Sequence, residues 1–190
     1  AAVLVRSLDS YADTLRRIFA RYAIPVFLDR RESVSHHPLA ELTRYALRTV
    51  AFGWRHADWF GALKTGLVPV AEGEIDSLEN AALEFGWQGE FWQKPASGSD
   101  RTALSESTEQ LRQQIVPPFI ALASQTATPF SGESLARALR ELWSALDVET
   151  TLTKWNAAAN QAAVRHPQSP IHATVFAQME TWLDNLARAF

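Results

Sequence analysis

Apolar residues recur at intervals of three and four through most of this 190-residue chain. The pattern is strongest in residues 131–146, where Leu135, Leu139 and Leu142 fall on one side of a helix, because side chains at these intervals share a helical face. The same spacing predicts further helices around Leu39, Ile75, Leu111, Leu152 and Val175. About seven or eight helices are expected, which makes the chain mainly α.

Proline and glycine residues mark where these helices begin and end. Pro38 fits a first turn, whose N–H groups lack intrahelical partners. Gly53 and Gly86 can adopt the left-handed conformation that closes a helix. Pro117 and Pro118 should interrupt a helix, because a proline ring clashes with the preceding turn. Residues 94–100 are rich in small and polar residues and predict an exposed loop.

The first 29 residues have a different pattern. Two short β-branched apolar runs, at residues 3–5 and 24–28, predict strands, and the amphipathic segment 11–22 between them predicts a helix. A β-α-β crossover implies parallel strands. Two parallel strands cannot bury both of their faces. We therefore expect a small parallel β-α-β stub over 1–29, resembling the edge of a larger α/β domain, and a helical bundle over 30–190.

Composition excludes several functional classes. The chain contains no cysteine, so it cannot use a thiol nucleophile or hold zinc or an iron–sulfur cluster through thiolates. Its apolar runs are only a few residues long, too short to cross a bilayer. The first residues lack the charged and long apolar regions of a secretory signal.

Charge is unevenly distributed along the chain. The net charge is −3, but residues 1–70 contain ten basic and six acidic residues, whereas 71–190 contain eight and fifteen. Two explanations are equally compatible with this asymmetry: the charges are simply a solvated surface with chance clustering, or the first third of the chain binds a polyanion. The arginines in question are Arg16, Arg17, Arg21, Arg30, Arg31, Arg44, Arg48 and Arg55.

No motif predicts catalysis or metal binding. Lys64-Thr65 resembles the end of a phosphate-binding loop, but Leu63 stands where that loop requires glycine. The adjacent His36 and His37 point in different directions and lack a third ligand at metal-binding spacing. No Gly-x-Ser-x-Gly elbow is present. We therefore predict no catalytic and no metal-binding residue in this chain.

The tryptophans divide into two groups. Trp143, Trp155 and Trp182 lie on apolar stripes and are predicted to pack in the core. The remaining four could be buried or could stack on bases, and the sequence leaves them open. They are Trp54, Trp59, Trp87 and Trp92.

Several short motifs follow one another in the first half of the chain. They are Val3-Leu4-Val5-Arg6, Tyr11, Ile24-Pro25-Val26-Phe27-Leu28-Asp29, His37-Pro38-Leu39, Leu63-Lys64-Thr65-Gly66-Leu67, Leu78-Glu79-Asn80 and Phe85-Gly86, ending near Trp92. In this order and spacing they resemble an internal segment of the AddB/RexB subunit of bacterial ATP-dependent helicase–nucleases, in the UvrD-like superfamily. From Gln93 onward the likeness is a helical pattern of suitable length.

The resemblance implies an architecture and a function. Residues 1–29 would be an edge of a RecA-like 2A subdomain, at motif IV, and 30–190 a helical 2B-like insertion. The segment would be noncatalytic and would contribute DNA-channel and subunit contacts to double-strand-break repair by homologous recombination. Arg6 would approach nucleotide phosphates. The candidate DNA contacts are Arg30, Arg31, Lys64 and Thr65.

The resemblance also implies cofactors and partners. The longer parent protein would be an ATP-dependent exonuclease and helicase subunit that uses ATP, magnesium and an iron–sulfur cluster, with none of these held by this segment. Its partners would be DNA and an AddA-like subunit in the bacterial cytoplasm, without a membrane, and the isolated segment would be a monomer or weak dimer. The alternative is a stand-alone α-helical protein-interaction domain.

Overall fold

The computed structural model describes residues 4–8, 10–26, 34–94, 105–127, 130–162 and 171–189. Every regular element in these ranges is helical, so the mainly α prediction is confirmed. A 3₁₀ turn at Val34–His36 precedes the second α-helix. The α-helices are α1 (Ala12–Arg21), α2 (Pro38–Ala51), α3 (His56–Leu63), α4 (Glu72–Phe85), α5 (Glu90–Gln93), α6 (Glu106–Ile115), α7 (Pro117–Thr126), α8 (Gly132–Ala145), α9 (Val148–Ala162) and α10 (Ile171–Ala189).

The predicted helix boundaries are largely confirmed. Pro38 is the first residue of α2, and Gly86 closes α4 in the left-handed conformation, at φ 68°. The hydroxyl of Ser131 accepts a hydrogen bond from the Ser134 N–H and caps α8. Pro117 begins α7 directly after α6, as a helix-interrupting proline should. The predicted loop at 94–100 lies outside the described residues after Lys94.

The N-terminal β-α-β stub is not confirmed. Its helix is present as α1, but the described residues of both predicted strands, Leu4–Val5 and Ile24–Val26, form no strand. Leu4 is 98% exposed, and Ile24 and Val26 are also exposed. A short parallel pair needs covering elements on both faces, and among the described residues no element covers these side chains. The proposed boundary near Asp29 lies outside the described residues and stays a prediction.

The core lies where the apolar stripes of the helices meet. Helix α2 packs on α3 and α7, α7 packs on α8, and α8 packs on α9 and α10. The stripes contribute fully buried leucines, including Leu39, Leu42 and Leu139. None of the described helices is both long and apolar enough to cross a membrane.

An aromatic cluster fills the part of the core beside α3. The ring of Trp59 lies 4.8 Å from that of Phe119, edge to face, and 4.9 Å from that of Trp54. Trp92 adds a third indole 5.7 Å from Trp59. Edge-to-face and tilted contacts at these distances add to the stabilisation that burial gives. The four tryptophans left open by the sequence, which include Trp87, are therefore core residues.

The prediction for the other three tryptophans is confirmed only in part. Trp143 is buried and its indole N–H donates to the Thr43 hydroxyl, 3.2 Å away. Trp155 is half-buried. Trp182 is 43% exposed, because its neighbour Leu183, about 100° further around the helix, is the residue that points into the core.

Two arginines connect helices by different means. Arg112 of α6 is buried, binds Glu109 through Nε and Nη2 at 2.8 Å, and donates from Nη1 to the carbonyl of Lys94 at 3.1 Å. Arg140 of α8 is half-exposed and binds carboxylates of α10. Arg112 thus connects α6 with the C-terminal end of α5, and Arg140 connects α8 with α10.

Candidate nucleic-acid interface

Lys64, a predicted DNA contact, lies at the C-terminal end of α3 with 44% of its side chain exposed. Its ammonium group is bound by Glu79, and lies 3.3 Å from the Asp76 carboxylate. The hydrogen bonds that it donates, first to Glu79 and secondly to Asp76, raise the pKa of Lys64 above its usual value. Two carboxylates therefore compete with any phosphate for this lysine.

Thr65 and Gly66 shape the end of α3. The Thr65 hydroxyl donates to the Ala62 carbonyl at 2.8 Å and so satisfies a helix-end acceptor. Gly66 has φ +76°, and a Cβ atom there would lie 3.3 Å from the Trp155 ring. Leu63 and Leu67, on either side, are buried. The Lys-Thr-Gly motif therefore has a helix-ending and packing role, and DNA contact by Lys64 and Thr65 stays a prediction.

His37 caps α2 and meets a histidine from the far end of the chain. Its Nδ1 accepts from the Leu39 N–H at 3.2 Å, so Nε2 carries the proton and donates to His172 Nδ1 at 2.9 Å. Burial, and secondly the charge of His172, lower the pKa of His37 to about 4. Sequence reasoning excluded metal binding by His36 and His37 but could not pair His37 with His172, since the two lie 135 positions apart in the chain.

The other predicted site residues are exposed or lie outside the described part of the chain. Arg6 is exposed and precedes α1. Arg30 and Arg31 lie outside the described residues. The phosphate contact proposed for Arg6 and the DNA contacts proposed for Arg30 and Arg31 therefore stay predictions.

A second basic feature lies where α2 passes into α3. The guanidinium carbons of Arg48 and Arg55 lie 5.3 and 5.2 Å from the centroid of the Phe52 ring. Arg48 also donates from Nε to the buried carboxylate of Asp58, at 2.6 Å. Sequence reasoning included both arginines in the basic first third but missed Phe52. Arginines four residues before and three after an aromatic residue would have been the signal.

The residues do not fit the cofactors implied for the parent protein. A thiolate-held iron–sulfur cluster is impossible without cysteine. Within the described residues no three His, Asp or Glu side chains are grouped so as to hold a metal ion. Leu63 remains where a phosphate-binding loop needs glycine. The described residues therefore offer no thiolate site for a cluster and no group of three such side chains for a metal ion.

Comparison with known proteins gives one consistent result. No family model matches the chain. It is 32% identical over 88% of its length to the AddB subunit of the ATP-dependent helicase/deoxyribonuclease of Desulforudis audaxviator, and 33% identical over 84% to that of Symbiobacterium thermophilum. It is also 48% identical over 48% of its length to the AddB subunit of Moorella thermoacetica.

The matched region is a small part of each relative. The chain covers 17% of the Desulforudis protein and 16% of the Symbiobacterium protein, about one sixth of their length. All three relatives carry the same description, which agrees with the family indicated by the short motifs of the first half. The chain therefore belongs to the AddB family of ATP-dependent helicase/deoxyribonuclease subunits, and is similar to one segment of them.

Proposed function

We propose that the chain serves as a noncatalytic helical segment of an AddB-type helicase/deoxyribonuclease subunit in DNA double-strand-break repair. The observation that carries this proposal is the similarity to AddB subunits over 84–98% of the chain. In such a subunit the segment would correspond to a 2B-like insertion after an edge of the motor subdomain. Its contribution would be contacts with DNA and with an AddA-like partner.

Charge and shape support a contact role. Basic side chains are concentrated in the first third of the chain, and Arg17, Arg21, Arg48 and Arg55 are exposed. Exposed arginines attract phosphate because guanidinium is always charged and can bind two oxygen atoms. Arg48 lies on α2 and Arg55 directly precedes α3, and these two helices pack on each other in the core. These features would allow the segment to form one side of a DNA-binding channel.

A chimeric subunit tests the proposal. The matching segment of the Desulforudis AddB protein is replaced by this chain, and a second version has the segment deleted. We expect the chimera to co-purify with its partner subunit and to degrade linear duplex DNA with ATP, whereas the deletion variant is inactive. A chimera that is folded and assembled but no more active than the deletion variant contradicts the proposal.

The proposed lack of catalysis has its own measurement. The 190-residue chain alone should release no phosphate from ATP above the rate of a heat-denatured sample, with or without DNA and magnesium. ATP turnover that follows the purified chain through two chromatographic steps would make the segment an enzyme and overturn the noncatalytic part.

The alternative of a stand-alone protein-interaction domain has one observation in its favour. The apolar residues Tyr11, Ile18 and Tyr22 on and beside α1 are 58%, 44% and 66% exposed. Exposed apolar patches of this kind mark protein contacts. The same face would also serve contact with other parts of a subunit complex. Replacement of Ile18 and Tyr22 by serine should leave the helical content unchanged. The alternative is favoured if the wild-type chain captures a protein partner and this variant does not.

A further inference from the structure

Phe52, Arg48 and Arg55 form one exposed cluster, here called the Arg–Phe–Arg patch. Phe52 ends α2 and remains 48% exposed, although it is a large apolar side chain. Both guanidinium groups lie within 5.3 Å of its ring centroid, which is cation–π distance. The patch thus combines a half-exposed aromatic side chain with two positive charges.

The backbone holds Phe52 on the surface. The next residue, Gly53, has φ 72°, and Trp54 has φ 57°, which is uncommon for a residue other than glycine. The Trp54 N–H donates to the Thr49 carbonyl at 2.8 Å, and its indole is buried in the aromatic cluster. Burial of Trp54 fixes this turn, so Phe52 cannot fold inward without disrupting the core.

The charges of the patch are only partly neutralised. Arg48 uses Nε to bind Asp58, whose side chain is 4% exposed, while 48% of the Arg48 side chain stays accessible. Its terminal Nη groups are therefore available to another anion. Arg55 precedes α3 without a side-chain capping bond, and it forms no ion pair with any residue that the structure describes. The patch carries net positive charge beside an aromatic ring.

We propose that the Arg–Phe–Arg patch binds single-stranded nucleic acid, with one base stacked on Phe52 as the guanidinium groups of Arg48 and Arg55 move from its ring to adjacent phosphates. Stacking on aromatic side chains beside a positive groove is the usual way in which proteins bind single strands without sequence preference. An acidic peptide would use the two charges but not the ring. The inference rests on the proposed function, and it names the place and the form of the DNA contact.

The test measures binding of two fluorescent probes to the 190-residue chain by anisotropy. One probe is a 15-nucleotide oligo-dT strand, and the other is a strand of equal length with abasic sites throughout. The variants are Phe52→Ser and Arg55→Gln, because changing Arg48 would leave the buried Asp58 without its partner. Phe130→Ser and Arg137→Gln are matched controls, since Phe130 is 50% exposed and Arg137 is exposed on α8. Circular dichroism confirms that each variant keeps its helical content.

The proposal predicts a different effect for each variant. Phe52→Ser should weaken oligo-dT binding about fivefold or more, with less than a twofold effect on the abasic strand. Arg55→Gln should weaken both probes and reduce the slope of log affinity against log salt by about 0.7. Both controls should bind within twofold of the wild type.

Three results overturn the proposal, and they differ from failure of the proposed function. The first is no oligo-dT binding at low salt. The second is binding that neither Phe52→Ser nor Arg55→Gln weakens, which leaves DNA contact elsewhere in the chain. The third is that polyglutamate displaces the bound oligo-dT strand and that Phe52→Ser weakens the affinity for both probes equally. This result would indicate a peptide site or a general anion site. An active chimeric subunit together with any of these results would leave the proposed function standing.

Discussion

The paired histidines should make the stability of the chain dependent on pH. His37 in the folded chain has a pKa of about 4, against about 6.5 in the unfolded chain. Between these values the unfolded chain binds a proton that the folded chain does not, so stability increases with pH. The contribution is complete above about pH 6.5 and is lost as the pH falls toward 4.

The size of the effect follows from the shift. A difference of about 2.5 pKa units corresponds to at most about 3.4 kcal/mol. His37 is only partly buried, and water screens part of the interaction, so we expect about 1–2 kcal/mol. Protonation of His37 at Nδ1 would remove the capping bond that this atom accepts from the Leu39 N–H. It would also place a positive charge beside His172, at the contact that joins the starts of α2 and α10.

Urea unfolding at several pH values measures this contribution. His37→Asn keeps a good helix-capping side chain but does not titrate in this range. The wild type should lose about 1–2 kcal/mol relative to His37→Asn between pH 7 and pH 4. His36→Asn is the matched control, because His36 is exposed and its variant should follow the wild type. A constant difference between wild type and His37→Asn across this range would refute the role assigned to His37.

Three further predictions concern packing, each measured by urea unfolding at pH 7. Gly66→Ala should lower the free energy of unfolding by about 1–2 kcal/mol, because alanine resists the left-handed conformation and its Cβ would approach Trp155. Gly73→Ala is the matched variant with open space around the new Cβ, and it should stabilise α4 by about 0.5–1 kcal/mol. Arg112→Met should lower the free energy of unfolding by about 2–3 kcal/mol, because the buried Trp92 carbonyl and the part-buried Lys94 carbonyl lose a charged donor. Arg140→Met, at the half-exposed arginine of α8, should lower the free energy of unfolding by less than about 1 kcal/mol. Trp143→Phe should cost about 1–2 kcal/mol through loss of the bond to Thr43 and of buried volume. Equal losses for the two arginine variants, a neutral Gly66→Ala or a neutral Trp143→Phe would contradict these assignments.

Local pattern was sufficient to predict most of the helical fold. The burial of Leu39 and Leu139 follows from their spacing, and the ends at Gly86 and Ser131 follow from the chemistry of single residues. The strands expected before Pro38 followed from β-branched composition alone. A strand also needs neighbours, and the described residues supply none at Ile24–Val26.

Contacts between distant residues could not be predicted. The spacing of Lys64 in its motif does not reveal that Glu79 binds it, because that contact depends on how α4 folds back on α3. Similarly, phenylalanine is a residue type that is usually buried, but the turn formed by Trp54 at a positive φ leaves Phe52 on the surface. The candidate site therefore depends on tertiary packing that a single sequence does not specify.

The pairing of His37 with His172 has a consequence for how the chain folds during synthesis. The ribosome adds 134 residues between them, and the bond from Trp143 to Thr43 likewise joins residues 100 positions apart. Contacts of such separation close late, because a long stretch of chain must first lose its freedom. The start of α2 therefore gains its contact with His172 only after the first residues of α10 have been synthesised, and until then His37 in the nascent chain lacks this partner.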